Sequence, residues 1–138
     1  IRRAHAVHPL AVVQTEYSLL YRQEAEETLQ TTRALGIGFV AYSPLGRSLL
    51  TATVQSAEEV AQDRRKDHPR FQADNFAHNR ERVRQLEVLA RNKQCTPGQL
   101  ALAWVLAQGE DGEQSDANIF ISRKDCFKYA KARRVIGN

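Results

Sequence analysis

The 138-residue sequence has no methionine, only two cysteines and no long apolar run. A membrane-spanning helix needs about 20 consecutive apolar residues, which no stretch approaches. No charged segment followed by an apolar one opens the chain, as it would in a secretory signal peptide. These absences predict a soluble, cytoplasmic protein with no membrane partner. Because an open reading frame begins with methionine, the start at Ile1 indicates a fragment, a processed product or an artificially chosen boundary.

Cysteine and histidine do not occur at the spacings that metal sites use, so no metal site is expected. Cys95 and Cys126 suggest no disulfide framework and are interpreted as small buried hydrophobic residues. The four histidines have no Cys or carboxylate partner at ligand spacing. We expect them to be exposed or to cap turns and helices: His5, His8, His68 and His78.

Positive charge is concentrated at the end of the chain. The net charge is +4, but residues 1–116 carry fourteen Lys and Arg against fifteen Asp and Glu, whereas residues 117–138 carry six against one. A nucleic-acid footprint would spread along a face and interleave aromatic residues. The pattern argues against a nucleic acid partner and leaves the basic tail as the only candidate for one.

The order of the predicted elements is that of an α/β protein. A strand at 10–17, a helix at 23–35 ended by Gly36 and a strand at 37–42 form the pattern of a right-handed crossover between parallel strands. Later elements are a short helix at 57–62 within a long solvated loop, helices at 74–93 and 99–108, a strand at 118–121 and a basic helix. Continuous apolar strands need helices on both faces or closure into a barrel. Three such strands leave open edges, so we expect further strands upstream.

Two capping boxes mark helix starts in the second half. Thr96 supplies a hydroxyl before Pro97, and Gln99 follows three residues later. The helix that starts there is apolar nearly all round and is expected to be buried. The second box is Ser122-Arg123-Lys124-Asp125, at the start of the basic helix.

The segment from Ile37 to Arg47 carries the strongest functional signal. Its apolar strand runs into a turn with Pro44 and Gly46, which places the turn at a strand's carboxyl end. An aromatic ring, a hydroxyl, a flexible backbone and a guanidinium follow each other there: Tyr42, Ser43, Gly46 and Arg47. Such a set can stack a flat ring and hold anionic oxygens.

Three blocks in order, at 13–18 (VQTEYS), 42–47 (YSPLGR) and 95–106 (CTPGQLALAWVL), closely resemble the C-terminal half of an aldo-keto reductase. The resemblance covers residues 1 to about 112. It implies a single partial domain over 1–138, the C-terminal half of a TIM (β/α)8 barrel, with a divergent basic tail at 113–138. The three strands would be the sixth, seventh and eighth. The implied function is NADPH-dependent reduction of aldehydes or ketones to alcohols, with the cofactor at the carboxyl ends of the strands.

The resemblance also implies site residues. Gln14 resembles the glutamine that hydrogen-bonds the nicotinamide carboxamide, and Tyr42 the tyrosine whose ring stacks on nicotinamide. The segment that follows the pyrophosphate is matched by Ser43, Pro44, Leu45, Gly46 and Arg47. Two alternatives stay open: Gln14 and Tyr42 fill a barrel core, and Arg47 forms a surface ion pair.

The four catalytic residues of that family, an Asp, a Tyr, a Lys and a His, belong to its N-terminal half, and none is assigned here. The chain alone is therefore not expected to catalyse reduction, because no proton donor stands beside the carbonyl. A small carbonyl substrate is expected only if a missing half completes the barrel. The alternative is a non-catalytic remnant or interaction module that assembles with a complementary half-barrel, or with itself across open strand edges.

The tail departs from the family pattern. Arg123 and Lys124 occupy the stretch that would grip the 2′-phosphate of NADPH, but the glycine and the adenine contacts of the family are missing. These two cations are predicted either to attract that phosphate or to form an exposed, basic helix start. The jump in charge near residue 117 also suggests altered or out-of-frame sequence.

Overall fold

Three parallel strands form one small sheet in a computed structural model that describes residues 1–108 and 119–121. The strands are β1 (Val12–Glu16), β2 (Gly38–Tyr42) and β3 (Ile119–Ile121), in the order β1-β2-β3. The helices are α1 (Arg2–Val7), α2 (Gln23–Ala34), α3 (Ala73–Asn92) and α4 (Pro97–Ala107). The predicted α/β class with a small parallel sheet is confirmed.

The first crossover matches the predicted strand, helix and strand to within two residues at each boundary. Helix α2 buries Ala25, Leu29 and Thr32, one stripe at helical spacing. Gly36 follows the helix with φ of +64°, a left-handed conformation that glycine adopts without a steric penalty. The chain therefore turns back at once into β2, parallel to β1.

The sheet is packed on one face only. Phe39 and Ala41 of β2 are buried in one core with residues of α2, α3 and α4. On the other face, Val12 is 49% exposed and Tyr42 is 45% exposed. The expectation of strands buried on both faces is therefore wrong for the part of the chain that the structure describes. The reason is that α2, α3 and α4 all contribute to the same core, under one side of the sheet, whereas α1 buries no residue.

Aromatic residues join β1 to α4 inside this core. Tyr17, which directly follows β1, lies edge-on to Phe39 at 5.8 Å between ring centroids and 5.4 Å from Trp104. Helix α4 buries Ala101, Leu102, Ala103 and Val105. Its remaining apolar residues are half-buried and none of them is exposed, so the expectation of a buried helix is largely confirmed. Trp104 lies under the guanidinium of Arg22, 4.9 Å from its ring centroid.

The helices of the second half begin and end close to their predicted limits. Helix α3 buries Phe76, Val83, Leu86 and Ala90, as the periodicity predicts. The capping box before α4 is confirmed: the Gln99 N–H donates to Thr96 Oγ1 at 3.2 Å, and the Thr96 N–H donates to Gln99 Oε1 at 2.9 Å. The short helix expected at 57–62 is reduced to a single 3₁₀ turn, Glu58–Val60.

Cys95 and the four histidines, which have no predicted site role, are all at least partly exposed. Cys95 is half-buried, and burial raises the pKa of its thiol. His8 and His78 are exposed, and His5 Nδ1 accepts a hydrogen bond from the Leu10 N–H at 3.0 Å. Within the described ranges, no helix has the length and apolarity needed to cross a bilayer, and no His, Cys, Asp and Glu cluster suits a metal ion. Cys126 and the second capping box lie outside the described residues.

Candidate functional site

Gln14 and Tyr42 lie on the same open face of the sheet. In the register of β1 and β2, Gln14 is opposite Val40 and Glu16 is opposite Tyr42. Because directly opposite residues and residues two apart share a face, Gln14 and Tyr42 are diagonal neighbours. Both side chains are exposed, near the carboxyl ends of their strands. Among the described residues, neither fills a packed core.

The turn after β2 is built on left-handed backbone. Positive φ angles occur at Ser43 (51°), Gly46 (57°), Arg47 (58°) and Ser48 (75°). A Cβ at Gly46 would stand 3.2 Å from Leu20 Cδ1, closer than ordinary side-chain contacts. Glycine is thus favoured at position 46 both by conformation and by the close approach of the Leu20 side chain from the loop after β1.

Part of the predicted cofactor segment is buried and acts through its backbone. Pro44, Leu45 and Gly46 are buried, and Leu45 packs within the core cluster. The Leu50 N–H donates to the Leu45 carbonyl at 3.1 Å, which fixes the turn. Among residues 1–108 and 119–121, no acceptor pairs with the backbone N–H groups of Leu45, Arg47 or Ser48. Unpaired N–H donors at the carboxyl end of a parallel strand are suited to an anion.

Arg47 lies against Tyr42. Its Nη2 donates a hydrogen bond to the Tyr42 hydroxyl at 3.2 Å, and its guanidinium carbon is 5.7 Å from the ring centroid. The Nε of Arg47 is buried and has no hydrogen-bond partner in the described part of the chain. No carboxylate there forms an ion pair with Arg47. These contacts therefore do not support the alternative that Arg47 forms a surface ion pair.

The long segment after β2 is more ordered than the predicted solvated loop. Asp63 binds the Arg65 guanidinium in a bidentate arrangement, with Nε and Nη2 at 2.9 and 2.6 Å from Oδ2. The hydrogen bonds from the Arg65 side chain and backbone lower the pKa of Asp63, and those to Asp63 raise the pKa of Arg65. Arg65 Nη1 also donates to the Arg47 carbonyl at 3.5 Å. The charged block is therefore attached to the turn, although Arg64, Lys66 and Asp67 are exposed.

Glu16 and Arg70 form an ion pair at the same end of the sheet. Arg70 Nη2 is 2.6 Å from Glu16 Oε1, and the two side chains are only 16% and 18% exposed. The contact is close, but Glu16 Oε1 has no partner with hydrogen-bond geometry, so we describe it as an ion pair. Neither residue was predicted from the sequence to belong to the site. A signal existed, because Glu16 stands two residues after Gln14 and must share its strand face.

Two surface cavities, each of about 340 Å³, lie away from the predicted site residues. One is lined by the N-terminal residues and α2, and the other by residues 19–24 and Arg82. Neither contains a predicted site residue. The remaining predicted phosphate contacts, Arg123 and Lys124, lie outside the described residues.

Comparisons with known proteins place the chain in a family. The sequence profile of the aldo/keto reductase family matches residues 1–124. A soybean (Glycine max) protein called probable aldo-keto reductase 1 is 50% identical over 111 residues, which is 80% of this chain and 32% of the relative. The chain thus spans about a third of that relative's length.

A solved structure shows the same fold. The glycerol dehydrogenase of Gluconobacter oxydans superimposes with a TM-score of 0.72 at 23% identity, over 97% of this chain and 39% of that one. At this identity the likeness shows the fold alone. Together with the profile match and the soybean relative, it leads to one conclusion. The chain belongs to the aldo/keto reductase family.

Proposed function

We propose that this chain is the NADPH-binding, C-terminal half of a TIM-barrel aldo-keto reductase that reduces aldehydes or ketones to alcohols. The observation that carries the proposal is the shared open face of Gln14 and Tyr42 beside Arg47. In a TIM barrel, sites of this kind are built by the loops at the carboxyl ends of the strands. The soybean relative, an aldo-keto reductase by name, supports the oxidoreductase class.

The chemistry of the available groups fits such a cofactor. An exposed amide at Gln14 and an aromatic face at Tyr42 suit a flat ring that carries a carboxamide. The N–H groups of Leu45, Arg47 and Ser48, which have no acceptor among the described residues, suit a diphosphate. The buried Nε of Arg47 lacks an acceptor among the described residues, and an anionic oxygen would supply one.

These residues would bind and orient rather than react. Tyr42 would fix which face of the ring is presented, and Gln14 would set the rotation of the ring through its carboxamide. The turn at 43–48 would hold the phosphates in place. Bound NADPH would supply a hydride to the substrate carbonyl. The proton donor would come from the N-terminal half, so we expect the 138-residue chain alone to bind cofactor without turning over substrate.

The half-barrel proposal is supported by the sheet itself. β1 has no strand at its outer edge among the described residues, and its Val12 side chain is half exposed. An open strand edge with exposed apolar side chains beside it is costly unless another part of the protein covers it. The chain spans only about a third of the soybean relative's length. This share is consistent with a separate segment that supplies the other strands of the barrel.

Titration with NADPH, followed by cofactor fluorescence, tests the binding site. We expect saturation, with binding weakened about tenfold in Arg47→Gln because a charge-assisted phosphate contact is lost. Arg82→Gln is the matched control, since it removes one exposed guanidinium from α3, outside the site. A chain that is folded by circular dichroism but gives no response at millimolar cofactor would contradict the proposal.

A chimera tests the site even if the isolated chain folds poorly. The matching 111-residue stretch of the soybean relative is replaced by the corresponding stretch of this chain. We expect the chimera to reduce aldehydes with NADPH, and to lose that activity with Tyr42→Ala. A folded chimera without cofactor binding would show that this chain's site residues are not competent.

The open edge of β1 favours a second function, that of an interaction module. In that case the chain would associate with a complementary half-barrel, or with its own kind, and would bind no cofactor. Sedimentation velocity distinguishes the two proposals. A compact, well-folded monomer that binds NADPH would exclude the interaction module, and stable oligomers without cofactor binding would favour it.

A further inference from the structure

A carboxylate stands next to Tyr42, whose ring is the proposed platform for stacking of the nicotinamide. Glu16 is the direct register partner of Tyr42, so the two side chains project from neighbouring strands about 5 Å apart on the same open face. The Glu16 side chain is only 18% exposed, which limits the screening of its charge by water. A charge in this position acts on whatever ring is stacked against Tyr42.

The charge of Glu16 is balanced by one residue. Arg70 reaches it from the 3₁₀ turn Pro69–Phe71, with Nη2 at 2.6 Å from Oε1. Among the described residues, no other cation pairs with Glu16. Arg70 Nη1 is itself buried without a hydrogen-bond partner there. Removal of either one would leave an isolated charge beside the platform.

We propose that Arg70, by neutralising Glu16, keeps this site from favouring oxidised over reduced nicotinamide. This inference rests on the proposed cofactor function. The oxidised ring carries one positive charge, and the reduced ring, which holds the added hydride, is neutral. A nearby lone carboxylate stabilises the oxidised form, a lone guanidinium destabilises it, and a closed pair has little effect on either.

The two halves of the pair therefore have opposite effects. In Arg70→Met, the unbalanced Glu16 carboxylate should lower the ratio of dissociation constants, oxidised over reduced, about fivefold. In Glu16→Gln, the unbalanced Arg70 should raise the same ratio about fivefold. In the double variant no charge remains, and the ratio should return to within about twofold of the starting value.

The experiment measures the dissociation constants of NADP⁺ and NADPH for the same protein preparation, by calorimetry and cofactor fluorescence. Because both dissociation constants are measured on the same preparation, a partial loss of folded protein affects both measurements and cancels from their ratio. Arg84→Met is the matched control: Arg84 pairs with Glu81 at 3.0 Å on an exposed face of α3, and its loss should leave the ratio unchanged. Arg70→Lys keeps the positive charge and should also keep the ratio.

The outcomes separate this inference from the proposed function. If neither cofactor form binds the unchanged chain or the soybean chimera, the proposed function fails. If both forms bind and the two single variants move the ratio in the same direction, or do not move it, the ion pair has a structural role only and the inference is overturned. Opposite shifts with restoration in the double variant, and no change in Arg84→Met, would establish it.

Discussion

Arg47 covers the ring of Tyr42 and binds its hydroxyl. The guanidinium carbon is 5.7 Å from the ring centroid, and Nη2 is 3.2 Å from the hydroxyl oxygen. The residue proposed to hold phosphate therefore rests on the residue proposed to hold the nicotinamide ring. A flat ring that stacks on this face of Tyr42 would displace Arg47, whose Nε has no acceptor in the described part of the chain. We infer that phosphate binding and ring stacking are coupled through this contact.

Tyr42→Phe tests the coupling. The ring remains, but the hydroxyl that holds Arg47 is lost, so we expect NADPH to bind about two- to fivefold more tightly. Tyr42→Ala removes the platform as well and should weaken binding about tenfold or more. Fluorescence titration of the two variants in parallel checks this. Equal weakening by Phe and Ala would mean that the hydroxyl contributes directly to cofactor binding.

Gly46→Ala is expected to destabilise the chain more than Gly36→Ala. Both glycines have φ near +60°, which costs an alanine about 1–2 kcal/mol. A Cβ at Gly36 meets nothing within 4 Å, whereas one at Gly46 meets Leu20 Cδ1 at 3.2 Å. The extra crowding should add about 1 kcal/mol. Urea unfolding of both variants measures the difference, and equal midpoints would show that Leu20 moves aside at no cost.

Thr96→Ala should lower the free energy of unfolding by about 1 kcal/mol. The reason is that the Thr96 hydroxyl accepts from the Gln99 N–H at the start of α4, and alanine leaves that donor without its cap. Thr96→Ser keeps the hydroxyl and serves as the matched control. Thermal unfolding monitored by circular dichroism checks the pair. A loss as large in the serine variant would assign the effect to the threonine methyl group.

Most of the fold was predictable because its signals are local. The period of α3, the capping box at Thr96 and the stop at Gly36 each depend on residues close in sequence, and the elements lie within two residues of their predicted limits. The burial of the strands was not predictable in the same way. An apolar run such as Phe39-Val40-Ala41 indicates a buried strand but not which of its faces the helices cover.

The candidate site was predictable only where its residues lie on a strand or directly after one. Gln14 and Tyr42 come from the strands themselves, so the pairing of β1 and β2 fixes their common face. Arg65 and Arg70 come from an irregular segment about twenty residues beyond the turn. Their contacts with the Arg47 carbonyl and with Glu16 depend on how that segment folds back. No periodic pattern in the sequence predicts that this segment folds back onto the turn and β1.

The Asp63–Arg65 pair predicts a pH dependence. The guanidinium and backbone N–H of Arg65 hold the pKa of the Asp63 carboxyl below its ordinary value. A carboxyl whose pKa is lower in the folded chain stabilises it above the unfolded pKa, about 3.9 for Asp. This contribution is lost as the pH falls from there through the lower, folded pKa. We therefore expect the attachment of the 63–68 block to the Arg47 carbonyl to weaken only below about pH 4.

NMR titration of the Asp63 carboxyl carbon checks this directly. The midpoint should lie below that of an unfolded Asp, and Arg65→Gln should bring it back towards the ordinary value, because both the side-chain hydrogen bonds and the positive charge are lost. Arg64→Gln is the matched control, since its neighbouring guanidinium is exposed and makes no contact with Asp63. If Arg64→Gln raised the midpoint as much as Arg65→Gln, general positive charge rather than the bidentate contact would be the cause.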